Sequence, residues 1–136
     1  MTSGSEALVR RFYEELWNRW QLAVADEILA EGFAFRGSLG VTSRGRNQFK
    51  TYVERFRAAF PDWHNEVEEL FGCGDRVAAR LTWSGTHRGQ FQNVEPTGKR
   101  VEYVGAGLFR IAAGRIAAAW IVGDTQQLWR TLGRLQ

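Results

Sequence analysis

From residue 101 to residue 111 the chain is apolar on both alternating sets of positions: Tyr103, Gly107, Phe109 and Ile111 on one, Val104, Ala106 and Leu108 on the other. A strand with two apolar faces is one covered on both sides, so this segment belongs in the middle of a sheet. Ala113-Gly114 predicts a tight turn and residues 115 to 122 a second strand. Ala is a poor first residue for turns that need positive φ, which suits a type I turn with a left-handed Gly114, although the turn type stays open. A short helix opens at Asp124.

The N-terminal pattern has a different period. Residues 5 to 20 place Leu8, Phe12, Leu16 and Trp20 at i, i+4 spacing, flanked by Val9, Tyr13 and Trp17, which predicts an amphipathic helix with a wide aromatic face. A second helix is expected over residues 22 to 30, closed by Gly32 at C′. A short strand around Phe33 and Phe35 and a Gly/Ser/Thr-rich loop over 37 to 45 follow. Residues 46 to 60 form a long helix with Phe49, Tyr52, Val53, Phe56 and Phe60 on one stripe, ended by Pro61. Residues 63 to 71 and 76 to 86 then pair as strands around the turn 72 to 75. In the second of these Val77, Ala79, Leu81 and Trp83 face one way, and Ala78, Arg80, Thr82 and Ser84 the other. Residues 85 to 100 are polar and glycine-rich, a long loop of the kind used as a lid or binding loop. Helices first, then a four-strand antiparallel meander, then a terminal helix give an α+β fold in a single domain spanning residues 1 to 136.

Composition narrows the chemistry. The chain of 136 residues is 13% aromatic, enough for a thick core or for an apolar cavity. The net charge of +3 comes from dispersed arginines rather than a basic stripe, so nucleic acid is not an expected partner. The single cysteine, Cys73, rules out an intrachain disulfide and a cysteine-rich metal site, and between two glycines it reads as inert. His64 and His87, with no carboxylate at ligand spacing, make a poor metal site, and no metal or cofactor is expected. Charges at Glu6, Arg10, Arg11, Glu14 and Glu15 leave no signal-peptide core, and no apolar run is long enough to span a membrane, so a cytoplasmic protein is expected.

Asp124 is the leading functional candidate, because it delivers a carboxylate to the sheet rim with no ionisable group before it since Arg115. It has two readings. In an apolar cavity, burial raises a carboxylate's pKa and makes it a competent base. As the first residue of Asp124-Thr-Gln-Gln127 it is equally an N-cap, which lowers the pKa. His87 is either a proton relay and substrate-orienting group or a loop histidine bonded to backbone. His64 points into the cavity or out to water, and Arg80 is a ligand anchor or an ion-pair partner of Asp62 or Glu66.

Four stretches together resemble the SnoaL-like polyketide cyclase branch of the NTF2-like superfamily. They are FYEELWN from Phe12 to Asn18; AFPD from Ala59 to Asp62; GDRV from Gly74 to Val77 with Arg80 and GTHRG from Gly85 to Gly89; and PTGK from Pro96 to Lys99, followed by Gly114-Arg-Ile116, Trp120, Asp124 and Leu132-Gly133. The likeness runs from about residue 6 to residue 134. It implies a cone-shaped barrel in which a curved, mostly antiparallel sheet carries the N-terminal helices on its concave face, with a short C-terminal helix. It also implies a deep apolar pocket, a dimer formed through the sheet, and a cofactor-independent aldol ring closure with Asp124 as acid/base. On that reading the pocket-side candidates are Tyr13, Trp17, Phe35, Phe60, His64, Arg80, Trp83, Phe91 and Trp120, with His87 assisting Asp124. The ligand is a small apolar carbonyl compound. Thr82 stands two residues beyond Arg80 where an epoxide hydrolase of the superfamily carries Asp, and Phe35-Arg36 replaces a smaller polar residue or His.

Three functions fit these residues: a cyclase or isomerase, a non-catalytic module binding an apolar metabolite, and a dimeric scaffold using its sheet to hold a protein partner. An inward, buried Asp124 beside a cavity of several hundred Å³ favours the first. The same cavity with Asp124 turned to its helix favours the second, and a cavity filled by Trp and Phe favours the third.

Overall fold

The computed structural model describes residues 4 to 134. Among them, six strands form one curved sheet in the order β2-β1-β6-β5-β4-β3, with the helices on its inner face. The strands are β1 (Leu29–Arg36), β2 (Thr42–Arg44), β3 (His64–Cys73), β4 (Arg76–Thr86), β5 (Arg100–Ala112) and β6 (Arg115–Gly123). The helices are α1 (Gly4–Arg11), α2 (Ala25–Ile28), α3 (Arg46–Ala59) and α4 (Thr125–Thr131). This is the expected α+β architecture, and the meander β3 to β6 is antiparallel throughout.

α1 runs on into a π-helical segment, Phe12–Trp17, marked by the Asn18 N–H donating to the Tyr13 carbonyl at 2.9 Å. Phe12, Tyr13, Leu16 and Trp17 of this segment are all buried, gathered on one side by the wider turn. α3 buries Phe49, Val53, Phe56 and Ala59 and ends at Ala59, with Phe60 as its C-cap ahead of Pro61.

Several local expectations are corrected. Residues 22 to 30 are not one helix: a 3-10 turn, Leu22–Val24, leads into the short α2, and Leu29 already belongs to β1. Gly32 lies within that strand rather than capping a helix. The segment 37 to 45 contains the edge strand β2, and β3 continues through Cys73. β1 pairs with β6 in parallel, a long-range pairing outside the meander.

The β5–β6 turn has positive φ at both residues, 51° at Ala113 and 74° at Gly114. A two-residue hairpin needs this primed geometry to match the twist of its strands, and the demand overrides the cost to Ala. β5 is central but covered on one side only. Val101, Tyr103, Phe109 and Ile111 are buried on the inner face, whereas Val104 and Leu108 on the outer face are exposed. With Phe71, Trp120 and Val122 they form a bare apolar patch in which every residue is at least 45% exposed.

Candidate functional site

The aromatic faces of the π segment, α3 and the sheet converge on an inner chamber. It is lined by Phe12, Tyr13, Trp17, Phe35, Gly37, Ser38, Tyr52, Phe56, Trp63, Asn65, Trp83, Tyr103 and Ile121, and its volume is about 40 Å³. That is room for a few waters at most, far below the several hundred Å³ that a ring-sized ligand fills. The expected deep pocket is thus almost wholly occupied by its own aromatic side chains in this conformation.

Its polar groups are hydroxyls and amides. The Tyr13 hydroxyl is buried and has no hydrogen-bond partner among the described residues. It packs over Gly107, where a Cβ would stand 2.7 Å from the oxygen. Ser38 Oγ and the Tyr103 hydroxyl are 3.5 Å apart. Asn65 is held by Asn18: its backbone N–H and Nδ2 donate to Asn18 Oδ1 at 2.8 and 3.0 Å, and Asn18 Nδ2 donates to the Asn65 carbonyl at 2.9 Å. Burial raises the pKa of Tyr13 and Tyr52. It pushes Tyr103 up to about 12, with the Ser38 contact pulling the other way. These phenols are therefore neutral donors, suited to polarising a carbonyl or stabilising an enolate. Among the described residues no carboxylate or imidazole lines the chamber.

The sequence candidates separate into groups. Tyr13, Trp17, Phe35 and Trp83 line the chamber. Phe60 and Phe91 lie one ring behind it, packed on each other at 5.1 Å and on Phe56. His64 and Arg80 are exposed surface residues, His64 Nε2 being 3.1 Å from Glu66 and Arg80 Nε 3.1 Å from Glu69 rather than Asp62 or Glu66. Trp120 is on the outer face, its ring beneath the Arg36 guanidinium at 4.6 Å. Asp62 instead clips α3 to β4, accepting from the Thr86 N–H at 2.7 Å and its hydroxyl at 2.8 Å.

Asp124 is exposed and caps α4, with Oδ1 accepting from the Gln127 N–H at 3.3 Å. Its own N–H donates to the Val104 carbonyl at 2.9 Å. The preceding Gly123 abuts the rings of Trp83 and Tyr103, so the backbone at Asp124 leaves the sheet one residue past the chamber wall. His87 is fully buried outside the chamber, in the loop between β4 and β5. The Thr97 N–H donates to its Nδ1 at 3.2 Å, the Thr97 hydroxyl lies 3.0 Å away, and its ring stacks near Phe60. Nδ1 as acceptor puts the proton on Nε2, which is buried with no hydrogen-bond partner among the described residues. Burial lowers its pKa, opposed in part by the Gly89 backbone.

Sequence reasoning missed nine lining residues: the apolar Phe12, Gly37, Phe56, Trp63 and Ile121, and the polar Ser38, Tyr52, Asn65 and Tyr103. Tyr52 stood in the apolar stripe of α3 and Tyr103 in the inner alternation of β5, so both carried a signal. Ser38 and Asn65 carried none beyond their polarity.

A second, larger concavity of about 850 Å³ lies on the outer face. Phe71, Ala78, Leu108, Ala118 and Trp120 form its apolar floor, and Arg36, Arg44, Arg76 and Arg110 bring four guanidinium groups to it, with no carboxylate in its lining among the described residues. Among the described residues no group of His, Cys, Asp and Glu could hold a metal ion, and no helix is long and apolar enough to cross a membrane.

A curved sheet folded over an aromatic chamber, with a capped C-terminal helix at its rim, defines a single α+β class of protein. The model of the SnoaL-like polyketide cyclase family matches residues 7 to 132, and the chain belongs to that family. Among solved structures it is similar to AclR, a hydroxylase candidate from Streptomyces galilaeus. That match has 29% identity, 97% of this chain and 86% of that one covered, and a TM-score of 0.82. It is similar to IdmH, a polyketide cyclase candidate from Streptomyces antibioticus, at 25% identity, coverage of 95% and 98%, and a TM-score of 0.81. A SnoaL-like polyketide cyclase candidate from Jannaschia sp. CCS1 shares the fold at 21% identity, coverage of 98% and 94%, and a TM-score of 0.89. No curated protein matches the sequence. Membership of that family supports a function of the cyclase or isomerase type.

Proposed function

We propose that this protein is a cofactor-independent cyclase or isomerase that takes an uncharged, apolar, polyketide-like carbonyl compound into the inner chamber. The observation that carries the reading is the Tyr13 hydroxyl, a buried neutral donor with no hydrogen-bond partner among the described residues, in a wall of aromatic rings. A carbonyl oxygen beside it gains a hydrogen bond that strengthens as negative charge develops. Asp124 is the proton acceptor of the proposal. Its carboxylate removes a proton from a carbon between two carbonyls, the enolate carbon attacks a second carbonyl of the same molecule, and the alkoxide takes the proton back from Asp124. The ring closes with no net gain or loss of protons.

A ring compound needs more room than 40 Å³, so the chamber wall opens to admit it. The turn at residues 37 to 41 is the part of the wall best suited to move. Among the described residues Ser38 meets the sheet through one long contact to Tyr103, the turn's other hydrogen bonds are internal, Gly37 N–H to Val41 and Gly40 N–H to Gly37, and only Leu39 packs it against the core. The bare outer face supports a second part of the proposal, that two copies of the chain associate through their sheets.

The exposure of Asp124 and its bond to Gln127 favour a second reading, a module that binds the same class of compound without turnover, and a chamber filled by its own rings favours the third, a dimeric scaffold that holds a protein partner on its sheet. Deuterium exchange at the methylene of an aromatic β-keto ester, followed by NMR, separates the enzyme from the other two. Acceleration by the wild type that Asp124→Asn abolishes supports the enzyme. Since Asn caps as well as Asp, the variant should keep its stability to within about 0.5 kcal/mol. Full exchange in that variant removes Asp124 from the mechanism, and no acceleration by the wild type leaves the two non-catalytic readings.

A further inference from the structure

β3 alternates exposed His64 and Glu66 with inward Asn65 and Val67. Tyrosines apart, Asn65 and His87 are the buried polar residues among those described, and of the two Asn65 lines the chamber. Across the sheet Asn65 stands level with Trp83 of β4, and Trp83 with Tyr103 of β5. An amide at an inward position costs stability for each polar atom left unpaired, so its hydrogen bonds show what it is kept for.

Asn18 fixes which way that amide points. Asn18 Oδ1 accepts from the Asn65 backbone N–H at 2.8 Å, and only an oxygen can do so, which sets the orientation of the Asn18 side chain. The Asn65 side-chain atom 3.0 Å from the same oxygen is then a donor, Nδ2. Oδ1 is the other arm of the Asn65 amide, and no described residue donates to it. Nor is it sealed in: the enclosed side-chain atoms without a partner among the described residues are the Tyr13 hydroxyl, Ser43 Oγ and His87 Nε2. In a residue only 4% exposed, the space open to Oδ1 is the chamber that Asn65 lines. The same Asn18 donates its own N–H to the Tyr13 carbonyl, so one residue ties Tyr13 and Asn65 to each other.

We infer that Asn65 determines specificity: its Oδ1 takes a hydrogen bond from a hydroxyl of the ligand, a phenol or an enol, while a carbonyl of the same molecule meets the Tyr13 hydroxyl. The inference rests on the proposal above that the chamber takes a carbonyl compound, and it states which such compounds are preferred. The two points differ in chemistry. Tyr13 has a proton to give and suits a carbonyl oxygen; Asn65 Oδ1 can only accept and requires a proton from the ligand. A compound carrying carbonyls alone covers Oδ1 with an apolar surface and supplies no bond in place of the water it displaces.

Quenching of tryptophan fluorescence in the full chain tests this. The probes are ethyl benzoylacetate and its counterparts with a 3- or 4-hydroxyl on the ring, at a pH that leaves the phenol neutral. The wild type should bind one of the hydroxylated esters roughly tenfold more tightly than the plain ester. Asn65→Leu keeps the branching of Asn without its polar atoms, and both backbone bonds to Asn18 remain available to it. In that variant the preference should fall to within about twofold. Asn65→Val, well suited to a strand, makes the same prediction, and thermal melting confirms that each variant is folded. Equal affinity of the wild type for all three esters, or a preference that survives the substitutions, overturns the role of Asn65 while leaving the chamber as the binding site. A wild type that binds none of the esters overturns both.

Discussion

The hydroxyl of Tyr13 rests on Gly107 of β5, and a methyl group at that position would stand 2.7 Å from the oxygen. The π-helical turn brings the ring inward, the glycine leaves space for its end, and nothing among the described residues accepts its proton. A buried hydroxyl left in that state costs stability, which is what a group kept for a ligand would do.

Tyr13→Phe is therefore expected to stabilise the fold by about 1 kcal/mol in chemical denaturation. It should also slow any catalysed exchange on the order of 10²-fold, because one donor to the developing oxyanion is lost. A destabilised variant would mean that the hydroxyl has a partner after all.

Gly105 is a close approach of a different kind. A Cβ there would overlap both the Trp83 ring and the Val122 carbonyl, and the backbone of β6 cannot retreat as a side-chain tip can. Gly105→Ala should cost about 1–3 kcal/mol, read as a lower denaturation midpoint with an unchanged slope.

The turn between β5 and β6 predicts a gain. Ala113 is held at φ 51°, where Asn is far better tolerated than Ala. Ala113→Asn should add about 0.5–1 kcal/mol to unfolding stability, measured by the same titration.

His87 sets a pH dependence. Burial lowers its folded pKa below the ordinary 6.5, so between the folded and unfolded values the unfolded chain binds the extra proton. Stability is then full above about pH 6.5 and falls as the pH drops from there toward the lowered folded value. Asp62 adds to the loss at lower pH. Burial acts to raise its pKa, but the Thr86 bonds prevail and hold it below the ordinary carboxylate value. Its contribution is present above the unfolded pKa and lost as the pH falls through the depressed one. Melting temperatures between pH 8 and pH 5.5 should decline less in His87→Gln than in the wild type, and equal declines would remove His87 as the cause.

The elements legible in the sequence were those fixed by neighbours along the chain. The π segment and α3 announce their aromatic faces by period, β4 by alternation, and α4 by the Asp124 cap, and Tyr13, Trp17 and Trp83 reach the chamber by those routes. The parallel pairing of β1 with β6 joins Leu29 to Ile116 across most of the chain and leaves no local trace. Trp120 went to the outer face because Ala119 and Ile121 take the inward positions of β6, and its stacking on Arg36 crosses from one strand to another. Ser38 and Asn65 look like ordinary turn and strand polar residues until the fold brings them beside Tyr103 and Asn18. How full the chamber is depends on side-chain packing in three dimensions, which no count of aromatics conveys.

The central claim is that the inner chamber, not the outer concavity, takes the ligand. A crystal structure of the full chain with a neutral aromatic β-keto ester tests it most directly. The account predicts density among Tyr13, Trp83 and Tyr103, with the turn at residues 37 to 41 displaced and an oxygen within hydrogen-bond reach of the Tyr13 hydroxyl. Density confined to the outer face against Trp120, with the inner rings unmoved, would contradict it.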